Sequence, residues 1–492
     1  MSSKTSEKPK RSFFGHPMGL LNIFSTELCE RFSYYGMRAI LLYYIYNTVS
    51  SGGLGVEHTE ALVIVSLFGS LVYLSSILGG WLADRVFGPY KGVLYGGLII
   101  TVGHVVLGMP WGEPGLFAAL FFIIVGTGML KPNVSVMVGE LYTKDDPRRQ
   151  AGFSLLVMAI NIGSFLAPLI VGATSVAFGY HTAFLIPAVM MMAAVFIYVI
   201  LGKTTLQGIG REPVQRLTAI EKRRWGSVAT LIVGILVALF VFLGTKGLLN
   251  IEMIGNSMPF VCTILAAVLF LFIILDKNTS KVERSRVFAF IPIFLVAAVF
   301  WAIAEQQSTT IALVVDTRID NNVMGYVVPS AWYASVNPLV IIVFAPIFAL
   351  IWTKLGKRQP SIMVKMSLGL WLAFLGFAVF ALAFISVGSG ELVSPVWILT
   401  GISLMTLGEL MLSPTGLSAT TLLAPDRHMS KMMGLWFVSN ALGQGIIALT
   451  SHLFNETAPA DFYLAYALVA LVCGTGMFLA RKKLLALAQG VR

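Results

Sequence analysis

Five residues in one apolar stretch near the start of the chain, Glu27, Glu30, Arg31, Tyr34 and Arg38, are of types that bind ions and exchange protons. Their spacings of three, one, three and four place them on one face of a helix, and Tyr35, four after Arg31, shares the edge. The face alternates in sign, so its carboxylates can neutralise its guanidinium groups while a water-filled cavity completes their hydrogen bonding. A charge held inside a membrane is costly unless paired or hydrated, which makes such residues functional candidates. The alternative is an ion network that only stabilises the bundle, a task that apolar residues of similar volume perform better. Three further charges stand inside apolar stretches: Lys131, Glu305 and Glu409. Glu305 and Glu409 have long apolar sequence on both sides, whereas Lys131 could also reach an interface along its flexible stem.

The elements that must hold these residues are membrane-spanning helices. The 492-residue chain is 57% hydrophobic and 12% charged, about half the charge of an ordinary soluble protein. Stretches long enough to span a bilayer number fourteen, near 17–48, 60–84, 92–109, 115–141, 150–178, 182–202, 225–244, 256–275, 287–315, 329–353, 362–388, 394–424, 432–453 and 461–480. The net charge of +11 follows the same layout: 29 of the 34 Lys and Arg lie on the side of the two termini, and only Lys246 and Arg318 lie in opposite loops. That asymmetry predicts cytoplasmic termini and leaves no basic surface that calls for nucleic acid. Cys29, Cys262 and Cys473 share no paired or metal-ligand spacing, so neither disulfides nor a metal site is expected. The short basic N-terminal tail reads as cytosolic and not as a cleaved leader. No nucleophile motif or zinc-protease motif accompanies the buried charges, which argues against an enzyme, and their asymmetry argues against a channel built on a ring of like residues.

Shifting the chain by 282 residues brings 126–135 onto 408–417, and the match extends through Pro132/Pro414, Gly152/Gly434 and Gly163/Gly445. The matched spans are the fourth and fifth from the start and the third and second from the end. Two parallel six-helix halves, 1–202 and 287–492, therefore flank a linker, 203–286, with two extra helices. That insert carries no buried ionisable residue and is expected to be a packing or lateral element away from the site. In the repeat Lys131 and Glu409 come four residues apart and opposite in sign. A cavity with cations on one half and carboxylates on the other suits a zwitterion with separated ends, and a short peptide is one. The segment 79–92, GGWLADRVFGPYKG, has the form of a cytoplasmic gate loop, with Asp84 and Arg85 pairing with helix ends or with each other, and it resembles the hallmark loop of the major facilitator superfamily.

Glu27-x-x-Glu30-Arg31-Phe32-x-Tyr34-Tyr35-Gly36 resembles the ExxER signature of the proton-dependent oligopeptide transporter family of that superfamily. Residues 153–165, 128–135, 300–306 and 335–339 resemble further segments of the family, so that the likeness covers nearly the whole chain. The resemblance implies a major facilitator fold of fourteen transmembrane helices and a monomeric, cofactor-free symporter in the cell membrane that imports di- and tripeptides with protons. Relatives that carry nitrate, an amino acid or a peptide-like drug remain an alternative, although a lone anion has no use for Glu409. The resemblance further implies that Glu27 and Glu30 are titratable partners of Arg31 and Lys131. Glu305 becomes the main proton-sensitive carboxylate, pairing with Arg31 or Arg38. Arg31, Tyr34, Tyr35, Arg38 and Lys131 would meet a peptide's carboxylate end, while Asn161, Asn337 and Glu409 would hold its amino end and backbone. Tyr73, Trp301, Trp436 and Asn440 would wall the pocket. Animal members place a histidine in helix two; here that helix is expected to lack one, and His104 in helix three to be a satisfied core residue.

Overall fold

The computed structural model describes residues 12–491 except 144, 214–215, 246–249 and 388–390, so the expected outer-loop cation Lys246 and residues 1–11 of the N-terminal tail lie outside the described residues. Its helices in the first half are α1 (Met18–Tyr46), α2 (His58–Leu82), α3 (Pro89–Leu107), α4 (Gly112–Glu140), α5 (Arg149–Phe178) and α6 (Tyr180–Thr205). The insert is α7 (Ala219–Thr245) and α8 (Ile251–Leu275). The second half holds α9 (Lys281–Ala304), the short α10 (Thr310–Thr317), α11 (Val336–Leu355), α12 (Ile362–Val387), α13 (Pro395–Leu422), α14 (Met429–Thr450) and α15 (Ala460–Leu487). Counting α9 and α10 as one crossing gives fourteen, and twelve are apolar enough to span a membrane on composition alone. Helix α1 differs from those twelve in carrying the four charges of its functional face. Helices suit the hydrocarbon layer because they satisfy their own backbone groups.

The termini of the helices follow local chemistry. Gly88, at φ +83°, turns the chain ahead of Pro89 at the first position of α3, a place where the missing N–H of proline costs nothing. Asn250 caps α8 by accepting from Met253 N at 2.6 Å, and Ser280 with Glu283 forms a reciprocal capping box at α9. The 79–92 segment is a π-helical extension of α2, Ala83–Phe87, before that turn. Among the described residues Asp84 and Arg85 form no ion pair with each other. The segment is instead tied to the linker after α6, with Leu217 N donating to Arg85 O and Tyr90 N to Gly210 O.

The internal repeat is a repeat of packing. Helix α3 packs on α4 and α6, α1 on α5 and α6, and α2 on α4. In the second half α12 packs on α13 and α15, α9 on α14 and α15, and α11 on α13. The halves meet along two seams that the repeat makes equivalent, α2 against α14 and α5 against α11. The inserted α8 lies on both α2 and α14. It therefore covers a seam between the halves, and of the two forms expected for the insert, packing or lateral, α8 takes the first: an apolar face suits burial among helices as well as it suits lipid.

Close helix approach at the charged face of α1 depends on Gly163. A Cβ there would stand 2.5 Å from Leu28 O and 3.2 Å from Arg31 Cβ. Gly163→Val is therefore expected to push α5 off α1 and to cost about 1–3 kcal/mol, the range for an overpacked core. A thermal-shift measurement in detergent reads this directly, with Gly476→Ala, where a Cβ meets open space, as the neutral comparison.

Candidate functional site

A cavity of about 450 Å³ lies between the halves. Of the residues expected from sequence it is lined by Tyr35, Arg38, Tyr73, Asn161, Trp301, Glu305, Asn337 and Glu409. Glu27, Glu30, Arg31, Tyr34, Lys131, Trp436 and Asn440 are not among its lining residues. They form the packing around it, with Arg31, Glu27 and Glu30 all nearly inaccessible.

Two ion networks lie one above the other along α1. In the first, Arg31 Nε sits 3.1 Å from Glu27 Oε1 and also pairs with Glu30. One guanidinium edge thus faces two carboxylates, while Glu27 Oε2, Glu30 Oε1 and Arg31 Nη2 have no hydrogen-bond partner among the described residues. In the second, two turns on, Arg38 Nη2 meets Glu305 Oε2 at 2.5 Å across the gap between halves, both side chains nine-tenths buried. Tyr73 OH reaches Glu305 Oε1 at 3.4 Å, and Lys131 Nζ lies 4.2 Å above the Tyr73 ring. A cation over an aromatic face is a weak partner compared with a carboxylate. Among the described residues Lys131 has no carboxylate within ion-pair distance.

Glu409 stands on the second half, apart from these cations. Asn337 Nδ2 donates to its Oε2 at 2.8 Å and to Thr406 Oγ1 at 3.1 Å. Asn161 and Asn440 instead bond back to their own helices, at Val157 O and Trp436 O. Trp436 packs over Gly416, where a Cβ would fall 2.2 Å from its ring, so it shapes α13 beside the cavity. The indole N–H of Trp301 has no partner among the described residues, and Trp301 lines the cavity.

The segment around Glu305 departs from the continuous helix expected over 287–315. Helix α9 stops at Ala304, a 3-10 turn occupies Glu305–Ser308, and α10 resumes at Thr310. The polar run Gln306, Gln307, Ser308, Thr309 and Thr310 supplies what the interrupted ladder lacks: Gln306 Nε2 donates to Ala302 O at 3.0 Å and Thr310 Oγ1 to Gln306 Oε1 at 2.6 Å. The break sets Glu305 at the end of a helix where it can turn to Arg38.

Hydrogen bonds joining the halves lie at mid-membrane or toward the face opposite the termini. They include Ser70 Oγ to Ala441 O, Ser335 Oγ to Phe165 O, Trp332 Nε1 to Leu169 O, Tyr43 OH to Ala312 O and Tyr46 OH to Asp316. His58 Nδ1 meets Glu456 Oε2 at 2.7 Å on that face. Helix two was expected to carry no histidine, yet α2 begins at His58, two residues ahead of its apolar run. His104 is fully buried as expected, but among the described residues both ring nitrogens lack partners, so it is not the satisfied core residue expected. Among the described residues no cross-half bond lies near the termini face, which makes this a form closed on the opposite side.

Lining residues that the sequence reading missed include Ala39, Leu42 and Tyr43 on α1, Ser164 and Pro168 on α5, and Ser413 and Leu417 on α13. The signal was present in the helical period: Tyr35, Arg38, Leu42 continue one face, as do Asn161, Ser164, Pro168 and Glu409, Ser413, Leu417.

Residues 90–464 match the POT family. The chain belongs to that family. Among relatives, it is 41% identical to the Di-/tripeptide transporter of Lactococcus lactis subsp. cremoris, with 99% of each chain covered. It is 43% identical to the uncharacterized transporter YclF of Bacillus subtilis (strain 168), covering 95% of this chain and 94% of that one. A crystal structure of peptide transporter POT in complex with sulfate is similar at a TM-score of 0.94, with 43% identity and 97% of both chains covered. The POT fold assigns the fourteen helices to a multi-pass membrane protein of major facilitator architecture.

Proposed function

We propose that this POT family member is a proton-coupled symporter that imports di- and tripeptides across the cell membrane by alternating access. The observation that carries the reading is the separation of charge in one cavity: Arg38 of the first half lines one side, and Glu409 with Asn337 of the second lines the other. A di- or tripeptide has a carboxylate for the first pole and an ammonium for the second. The relative named as a di-/tripeptide transporter, matched end to end, supports the same substrate class. Protons enter through Glu305, with Glu27 and Glu30 as further carriers. While Arg38 is held by Glu305 it is neutralised; a proton on Glu305 releases it to take the peptide carboxylate. The coupling is reciprocal, since whatever raises peptide affinity on protonation raises proton affinity on peptide binding. Arg31 and Lys131 lie behind this pole and join it as the halves rock, with Tyr34, Tyr35, Tyr73, Asn161, Trp301, Trp436 and Asn440 completing the pocket. The six-helix units 1–202 and 287–492 are the moving bodies, joined by 203–286, in a monomer with both termini cytoplasmic. The protein works without cofactor or catalytic chemistry.

The test is a competition panel in proteoliposomes under an imposed pH gradient, with dipeptides, tripeptides, free amino acids and nitrate set against a labelled dipeptide. Di- and tripeptides are expected to compete and nitrate is not. Competition by nitrate or by free amino acids with equal strength overturns the assignment.

A further inference from the structure

We infer that Thr406 is a positioning residue that makes the Glu409 pole selective for a free amino group; this rests on the reading above. Thr406 is fully buried on α13. Its hydroxyl hydrogen is spent on Ile402 O at 2.8 Å, so toward Asn337 it can only accept. It therefore faces the amide nitrogen of Asn337, and that nitrogen's second hydrogen goes to Glu409 Oε2. Both hydrogens of the Asn337 amide are committed, so the capacity that this cavity-lining pair has left is acceptor only, the amide carbonyl oxygen and the carboxylate. A pole made only of acceptors binds a group rich in donors, an ammonium with three, and disfavours an acylated nitrogen with one. Without Thr406 the amide hydrogen it accepts loses its partner while Glu409 keeps the other, and that freed N–H adds a donor to the pole.

The experiment compares inhibition by a dipeptide and by its N-acetyl form in an exchange assay, for the wild type, Thr406→Val, Thr406→Ala and Thr406→Ser. The preference for the free amine is expected to fall about tenfold in the Val and Ala variants, the scale of one misplaced hydrogen bond, and to persist in Ser. An unchanged preference in whichever of Val and Ala folds, or an equal loss in Ser, overturns the role of Thr406. Failure of the wild type to exchange any dipeptide counts instead against the peptide reading itself.

A separate set of contacts concerns the inserted helices. The geometry points to α8 as a strap fastened to the second half and sliding on the first. At its termini end, Asp276 Oδ2 lies 2.9 Å from His428 Nε2, and Lys431 Nζ 3.1 Å from His428 Nδ1. An ammonium only donates, so Nδ1 accepts and Nε2–H donates to Asp276. Lys431 also stands 4.9 Å over the Phe272 ring. Asp276 is itself fixed, with Asn278 N donating to its carboxylate and Arg284 Nη2 to its carbonyl. This network binds α8 to the start of α14 and, through a rigid turn, to α9. Farther along, Gly445 of α14 lets the Pro259 backbone approach, where a Cβ would be 2.9 Å from Pro259 N. Against α2 the packing is apolar, with Val63 seated over Gly255, where a Cβ would fall 2.4 Å from Val63 Cγ1, and the polar contact from Ser70 to Cys262 is long at 3.9 Å. Among the described residues the short polar contacts that α8 and the turn after it make with the two halves all go to the second.

Gly255 allows both attachments to be tested from one position. A Cβ built there lies 3.7 Å from Val63 Cβ and 3.5 Å from Ala448 Cβ, both within the range of about 3.5–4.5 Å that a disulfide takes. In a chain with its native cysteines replaced by Ala, the Gly255→Cys, Val63→Cys pair ties α8 to α2. The Gly255→Cys, Ala448→Cys pair, with Val63→Ala to give room, ties it to α14. Oxidation is expected to abolish dipeptide uptake in the first and leave it intact in the second, and reduction to restore the first. Uptake that survives the α2 bond, or is lost through the α14 bond and restored by reduction, overturns the strap.

Discussion

Proteoliposomes carrying Glu305→Gln are expected to lose pH-driven accumulation of dipeptide entirely while still exchanging labelled for unlabelled dipeptide across the membrane. The substitution removes the carboxylate that holds Arg38 at 2.5 Å and replaces it with a neutral group of the same shape, the state that a proton would create. Arg38 is then permanently free for a peptide carboxylate, so binding and exchange persist. Nothing remains at that position to carry a proton, so the gradient no longer does work on the peptide. Gradient-driven accumulation equal to wild type in this variant removes Glu305 from the coupling path. Loss of exchange as well would mean that the carboxylate serves peptide binding and not only the proton.

The second large effect concerns Arg31. Its guanidinium faces Glu27 and Glu30 in a buried setting, and taking away one member of a buried ion cluster strands the others. Arg31→Met should cost about 3–5 kcal/mol of stability, the usual penalty for an uncompensated buried charge, read as a large fall in melting temperature in detergent. Adding Glu27→Gln and Glu30→Gln should recover most of that stability, because the stranded charges are gone. Transport should not recover. That split distinguishes a functional cluster from an ion network kept for stability: a triple variant that melts like the wild type and also accumulates peptide would show that the three charges serve only the bundle.

Much of this architecture was legible in the sequence because a bilayer imposes coarse, strong rules. Apolar stretches of bilayer length gave the crossings, and of the charges breaking the apolar pattern Arg38, Glu305 and Glu409 line the cavity while Glu27, Glu30, Arg31 and Lys131 do not. The repeat was visible in Pro132 and Pro414 because each sits inside the corresponding helix, α4 and α13. Three features were not legible. The break after Ala304 follows from polar side chains substituting for backbone partners, and hydropathy averages over it. His58 was missed because a helix outruns its apolar segment at the surface, where hydropathy falls before hydrogen bonding does. The division between Arg38, which lines the cavity, and Arg31, which does not, is one of depth along α1, since the two stand two turns apart on one face. At the level of Arg31 the close approach of α5 at Gly163 covers α1, a contact that helical spacing does not reveal.

The position of α8 illustrates a further limit. A helix without charge reads alike whether lipid or another helix covers it, so its seat between α2 and α14 had no sequence signature except small residues such as Gly255 and Gly445. Those glycines become informative only once the facing atoms are known.

The most direct test of the central claim follows labelled dipeptide in wild-type proteoliposomes with the same peptide concentration on both sides at the start and a pH gradient, acid outside, as the sole driving force. The account predicts accumulation inside above the starting concentration, collapsing when a protonophore dissipates the gradient. Peptide that stays at equal concentration on the two sides while the gradient persists would contradict it.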